Sequence, residues 1–244
     1  MASMGTPLTR TLSSLPREAL ALLCALPQEL GSLRERAVSR RLRCGLELLE
    51  LEVGTARALA CVAGVGKVMA ARAAALLFSE GATGGLFVVG TCGGLRKSLV
   101  PGTLVHCTRA VQVDLAVRQG REVEADAGWR NAWQRVAPGP EGWFLTADRP
   151  VLTPWRRLRL ARAFMGPCVA DMETAAAAAV AEQGAVPWAA LRAVTDLADP
   201  FRAGGFRRNF PLQAPRAADS WITLIEMLSR VTAPAADCQS LPPS

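Results

Sequence analysis

Apolar residues in this chain come in short blocks whose period switches between two and about 3.6, the signature of strands alternating with helices. The first block is ALALLCAL, residues 19–26, followed by Pro27 at a position where helices commonly start. Gly45–Val53 and Arg57–Val62 predict a hairpin around Gly54-Thr55, and residues 64–81 (GVGKVMAARAAALLFSEG) predict a helix entered through two glycines. Residues 86–94 (LFVVGTCGG) form a buried-strand pattern ending in a Gly-rich turn, and Thr103–Cys107 a further strand. A charged stretch at 116–126 predicts a loop or edge, and Gly128–Val136 a short helix with Trp129 and Trp133 in the core. Trp143–Thr146 predicts a strand, and Thr153 with Pro154 opens a basic helix.

The most informative stretch is Cys168 to Asp199. A short apolar run ends in Asp171-Met172-Glu173, an alanine-rich helix runs to Gly184, and Pro187–Val194 forms a second apolar strand ending in Thr195-Asp196. Acids thus stand at the C-terminal ends of two strands, where open α/β sheets form ligand crevices. A helix-cap acid and a turn aspartate are equally consistent with that spacing alone. Residues 198–210 (ADPFRAGGFRRNF) predict a basic loop able to lie over a site, and Pro215–Val231 a closing helix burying Trp221, Leu224, Ile225 and Leu228. The pattern divides the chain into a disordered start (1–17), one domain (18–231) and a disordered tail (232–244).

Composition narrows the chemistry. Half of the 244 residues are hydrophobic, enough for a packed core, but no early apolar run approaches the roughly 20 residues of a spanning helix. Seven cysteines without C-x-x-C spacing fit a reducing cytoplasm. A single histidine, His106, rules out a multi-histidine zinc site, and no metal is expected. The net charge of +7 is spread along the chain without an aromatic-interleaved basic stripe, so no nucleic-acid partner is expected.

Individual residues carry two readings each. Glu29 is either an acid complementing a helix dipole or a carboxylate at a strand-to-helix corner beside the crevice. Gly64 and Gly66 aim backbone N–H groups as anion sites do, but G-V-G-K is neither a P-loop nor a dinucleotide fingerprint. Gly90, Gly93 and Gly94 permit close backbone approach. Cys92 reads as a small buried residue rather than a nucleophile, His106 as a sheet residue, and Asp114 as a solvent-facing acid.

Five segments in order, CALPQEL, GVGKVMAA, VVGTCGGL with VPGTLV, VADMETAAAAAVA and VPWAALRAVTDLAD, resemble the nucleoside phosphorylase/nucleosidase superfamily over about residues 20–230. The branch most similar is that of methylthioadenosine/S-adenosylhomocysteine nucleosidases. The resemblance implies a three-layer α/β/α sandwich around a mixed, partly closed sheet, usually a homodimer, and cleavage of the N-glycosidic bond of a purine nucleoside without a cofactor. It assigns Asp196 to base N7, Glu173 to the ribose hydroxyls with Met172 against the sugar, and Glu29 to the attacking water. Thr91, Gly93, Val151 and Asp171 complete the implied substrate contacts. A carboxylate at Glu29 favours water over phosphate as nucleophile, although Lys67, Arg96 and Lys97 are cations that could serve a phosphorylase.

Three departures bear on the substrate. Pro150 in the turn ADRPVL stands where the hydrolases usually stack an aromatic residue on the base, Asp171 replaces a glutamate, and residues 109–120 lack any aromatic. The turn is similar to that of hopanoid-associated nucleosidases, which act on adenosylhopane, and futalosine hydrolase is a further relative. An apolar 5′ group and peripheral contact of a basic protein with an anionic membrane follow as expectations. A nucleoside-binding protein without catalysis is the non-enzymatic alternative.

Overall fold

The computed structural model describes residues 15–118, 120–197 and 204–232. The terminal segments expected to be disordered fall almost wholly outside these residues, as do residues 198–203 of the basic loop.

Among the described residues, ten strands build one sheet. The first is β1 (Leu20–Cys24), after which the chain turns through a 3-10 segment, Pro27–Arg34, kinked at Gly31. Strands β2 (Ala37–Arg43), β3 (Leu46–Val53) and β4 (Ala56–Val62) form an antiparallel meander. Helix α1 (Lys67–Ser79) leads to β5 (Leu86–Gly94), β6 (Leu104–Gln112) and the short edge β7 (Glu122–Glu124). Then come α2 (Ala127–Val136), β8 (Glu141–Thr146), α3 (Pro154–Ala163), β9 (Cys168–Asp171), α4 (Thr174–Gln183) and β10 (Trp188–Asp196). Helices α5 (Gly204–Gln213) and α6 (Arg216–Thr232) close the chain.

Alternation in the central strands decides the layers. In β1, Ala21 and Leu23 pack on one side with the small residues of α1 and α4, including Ala73, Ala74, Ala177 and Ala178. Leu20 and Leu22 point to the other side, where Trp129 and Trp133 of α2, Trp221 and Leu228 of α6 and Leu30 pack. A period of two therefore gives each strand two buried faces, which requires helices on both. Alanine on the first side lets α1 and α4 approach closely. On the second side Phe87 meets Trp129 edge-on at 4.8 Å and Trp133 at 5.6 Å, contacts worth about 0.5–1.5 kcal/mol each beyond burial.

The strand order is β2-β3-β4-β1-β5-β9-β8-β6-β10, and β10 returns to pair with β5. The expected three-layer α/β/α sandwich with a partly closed sheet is thus observed. Strand β5 is the pivot. One edge pairs with β10 along most of its length, while the other pairs with β1 at Leu86–Val88 and with β9 at Gly93 and Gly94. Between those two partners the edge opens, and the open gap is where the functional side chains gather.

The differences from the pattern are local. Strand β2 was not legible because its residues are exposed or half-buried throughout, leaving no buried face to impose a period. The charged stretch 116–126, read as a loop or edge, holds the edge strand β7, whereas residues 204–210 of the expected basic loop are helical in α5. His106 is a buried sheet residue whose Nε2 lies 2.7 Å from the Ala137 carbonyl, and burial lowers its pKa. Asp114 is not a free solvent-facing acid, since it accepts hydrogen bonds from Lys67 Nζ and the Asp148 amide, both at 2.8 Å.

Candidate active site

A cavity of about 420 Å³ opens where the C-terminal ends of β1, β5, β9 and β10 converge. It collects every residue singled out from the sequence as a site candidate: Glu29, Thr91, Gly93, Val151, Asp171, Met172, Glu173 and Asp196.

Glu29 stands at the turn after β1 and is 1% exposed. Its Oε2 accepts hydrogen bonds from the Ala25 and Leu26 amides, each at 3.0 Å. Its Oε1 accepts from the Thr91 amide at 2.9 Å and the Thr91 hydroxyl at 3.0 Å. Four donors on one carboxylate fill its acceptor capacity and hold it without rotational freedom. The Gly-rich turn makes room for it. Gly90 has φ +144°, and a Cβ there would lie 2.7–2.9 Å from the Glu29 carboxylate atoms, so only glycine serves at this point.

Asp171 and Glu173 share a chain reversal but divide the work. Asp171 is the residue that secures the start of α4, accepting from the Thr174 amide at 3.3 Å and from its hydroxyl. Its other oxygen accepts from Thr146 Oγ1 at 2.5 Å, so both oxygens are bound by protein donors on the cavity floor. Glu173 occupies the cap position of α4 without capping it. Its side chain instead accepts from the Gly66 amide at the entrance of α1, at 3.0 Å, and from Arg192 at 3.1 Å. The anion expected at that glycine-lined helix entrance is therefore the protein's own carboxylate.

Arg192 is the residue that sequence reasoning missed. It lies mid-β10, 2% exposed, and its guanidinium reaches Asp171 at 3.0 Å, Glu173 at 3.1 Å, the Thr174 hydroxyl at 3.1 Å and the Thr91 carbonyl at 2.8 Å. The planar fork joins the Glu173 side of the cavity to the Thr91–Glu29 side. A signal was present: one arginine inside the apolar strand WAALRAV has to be paired or the strand could not be buried. Burial pushes the pKa of Glu173 up, and the neighbouring Arg192 charge pulls it back only in part. Burial also raises the Cys92 thiol on the cavity wall, which suits a structural residue rather than a thiolate nucleophile.

Asp196 ends β10 after a register shift and is half-buried in the cavity wall. Its Oδ1 accepts from the Thr195 hydroxyl at 2.8 Å. Two helices pin this strand end. Asn209 of α5 donates to the Thr195 carbonyl at 2.7 Å, and Arg157 of α3 to the Leu197 carbonyl at 3.1 Å. Phe206 and Arg207 of α5 also line the cavity; both belong to the basic segment 198–210 expected over a site, although the sequence did not single out these two side chains.

Of the three cations that the sequence offered to phosphate, two are engaged elsewhere and the third stands outside the cavity, leaving Arg207 and Arg192 as the arginines in its lining. Lys67 bridges Asp114 at 2.8 Å and Asp148 at 3.3 Å. Partial burial opposes its charge, but these two acids outweigh it and raise its pKa. Arg96 donates to the carbonyls of Ala161, Phe164 and Gly166 at the end of α3, and Lys97 does not line the cavity. Among the described residues, no three His, Cys, Asp or Glu side chains converge as metal ligands.

A sequence profile of the phosphorylase superfamily matches residues 19–227. The chain belongs to that superfamily. Within it, the chain is similar to a 5′-methylthioadenosine/S-adenosylhomocysteine nucleosidase of Geobacillus sp. (strain WCH70), 24% identical over 86% of this chain and 99% of the relative. Among solved structures it is similar to the nucleosidase of that name from Neisseria meningitidis in complex with methylthio-immucillin-A. That match has a TM-score of 0.80 and 26% identity over 86% of this chain and 99% of the other. Futalosine hydrolase of Helicobacter pylori shares the fold with a TM-score of 0.80 at 18% identity, over 86% and 98% of the two chains.

Proposed function

We propose that this superfamily member is an N-glycosyl hydrolase that cleaves a 5′-substituted purine nucleoside, with adenine as the base, and releases free base. The observation that carries the reading is the fixed Glu29 carboxylate in the same cavity as Glu173 and Asp196. The names of the similar proteins support the reaction class.

In this reading Glu173 accepts hydrogen bonds from the ribose 2′- and 3′-hydroxyls, with Met172 against the sugar. Water approaching Glu29 Oε1 displaces the Thr91 hydroxyl, which turns to bond the water or the sugar. The bond between C1′ and the base nitrogen breaks and its electron pair leaves with the base. Asp196 supplies or shares a proton at N7, so the leaving base does not depart as an anion. Water adds to C1′ and its proton passes to Glu29. The intervening sugar is cation-like, and the ionised carboxylates around it stabilise that charge. General acid and general base assistance are each worth about 10²–10⁴-fold.

Water is favoured over phosphate for a specific reason. A dianion entering beside Glu29 meets a buried negative charge, and Lys67 and Arg96 already hold other groups. The cavity lining also includes the apolar Leu26, Val65, Val151, Leu152 and Phe206, which suits a hydrophobic 5′ substituent. Phosphorolysis, a futalosine or adenosyl-lipid substrate, and nucleoside binding without turnover are separated by one experiment. Free-base release is measured from methylthioadenosine, S-adenosylhomocysteine, 5′-deoxyadenosine, futalosine and an adenosyl-lipid, with and without phosphate. Release without phosphate is expected. Release only with phosphate overturns the role of Glu29, and adenine-nucleoside binding without any release reassigns the site to recognition.

A further inference from the structure

The segment 149–170 carries five arginines and no acid. Helix α3, which it contains, is held firmly from behind. Arg96 bonds the carbonyls at its C-terminal end, Arg157 ties it to Leu197, and Ala161 packs into a small cluster with Leu95, Leu145 and Val151. Its outer face takes no part in that packing. Trp155 is 81% exposed, Leu158 40%, and the flanking Leu152 and Met165 are 61% and 85% exposed. On the helix, Trp155, Arg159 and Arg162 fall at i, i+4 and i+7, one stripe pointing outward.

We propose that this outer face, from Leu152 to Met165, docks the protein on an anionic lipid bilayer, with the cavity mouth beside the contact. An indole and aliphatic side chains set among arginines, on a helix without acids, form the pattern of a helix lying in a membrane interface. Guanidinium groups reach the headgroups while Trp155 enters the acyl boundary. Arginine, tryptophan and methionine are enriched at protein–protein interfaces too, so the choice of an anionic bilayer rests on the five arginines and the absence of any acid over residues 149–170. The acids that flank the segment are both paired, Asp148 with Lys67 and Asp171 with Arg192, so the face keeps its positive field, reinforced by the chain's net charge of +7. Leu152 belongs to both surfaces, lining the cavity and standing exposed at the start of the docking face. A membrane-resident substrate could pass from bilayer to cavity along it. The docking argument does not depend on the reaction proposed above.

The test is co-sedimentation with phosphatidylglycerol/phosphatidylcholine vesicles and with phosphatidylcholine alone, using the full chain. Binding to the anionic vesicles only is expected, and it is lost at about 0.5 M salt, where screening is strong. Arg159→Glu combined with Arg162→Glu should weaken binding by at least about tenfold, and Trp155→Ala by about fivefold. Brominated acyl chains should quench wild-type tryptophan fluorescence more than that of Trp155→Phe. Unchanged melting temperatures in the variants establish that the fold is intact. Absence of binding to anionic vesicles, or binding that both sets of substitutions leave unchanged, overturns the proposal. Self-association that depends on Trp155, without vesicle binding, assigns the face to a second copy of the chain instead.

Discussion

Replacing Glu29 by glutamine preserves shape and removes one charge, yet the surroundings of this carboxylate make the exchange costly. All four groups that address it are donors: the amides of Ala25, Leu26 and Thr91 and the Thr91 hydroxyl. A glutamine keeps one acceptor oxygen and places an NH₂ group against the remaining donors. The cheaper orientation puts NH₂ toward Thr91, whose hydroxyl can rotate to accept, but the Thr91 amide cannot turn away. One buried N–H is then unpaired, and two further bonds lose their ionic character. An unpaired buried donor costs about 1–3 kcal/mol, and a bond to a charged group is worth about 1.5–3 kcal/mol against about 1 for a neutral one. The sum is about 2–7 kcal/mol and centres on ~4 kcal/mol. Loss of the charge also relieves repulsion on Glu173, but Glu29 stands last among the influences on that residue, so lost pairing dominates. At about 2–4 °C per kcal/mol for a chain of this size, Glu29→Gln should melt about 10 °C below wild type by calorimetry. Thr91→Val, which removes one of the four donors and spares the amide, should lose about 3–5 °C on the same scale. A Glu29→Gln protein melting within about 2 °C of wild type refutes the four-donor description, because no rearrangement of an amide satisfies those fixed N–H groups. Base release should be nearly abolished in the same variant, and unchanged release displaces Glu29 from the reaction.

Three other substitutions probe the rest of the site. Asp196→Asn, at a half-buried position on the cavity wall, should cost about 10²–10⁴-fold in kcat with little change in melting temperature; near-normal turnover removes it as the proton source. Gly90→Ala sets a methyl group 2.7–2.9 Å from the Glu29 carboxylate in a backbone conformation of φ +144°, so it should abolish activity and destabilise by about 2–4 kcal/mol in a denaturant melt. Glu173 works as an ionised acceptor and burial raises its pKa, so kcat/KM should fall on acidification at a higher pH than an ordinary glutamate would impose. Arg192→Lys keeps the charge but loses the fork, pulls Glu173 down less, and should move that acid limb further up; a limb that stays put separates Arg192 from the titration.

Much of the site was legible because its residues sit at strand ends. The runs before Glu29, Thr91, Glu173 and Asp196 announce strands by their apolar pattern, and open α/β sheets gather such ends on one side. The five motif segments added, by resemblance, the three-layer fold and the roles of those strand-end residues. Gly90 was readable as a point of close approach, but not what approaches it, since Glu29 lies 61 residues away along the chain. Arg192 was visible as an anomaly in an apolar strand, and its partners Asp171, Glu173 and Thr91 were not.

By itself, then, the sequence determined the alternation of strands and helices, the two buried faces of the central strands and the carboxylates at their C-terminal ends. These follow from local periodicity and from the cost of burying unpaired polar groups, both of which act over a few residues. Tertiary structure alone decided that β5 shares one edge between β1 and β9, and that the resulting gap is closed by Glu29. It also decided that Asp171 braces Arg192 while Glu173 faces the cavity, that Lys67 is taken by two acids, and that α3 turns Trp155 outward. Each of these outcomes depends on which partner is nearest in space, and a donor, an acceptor or an exposed ring has no partner until the sheet closes.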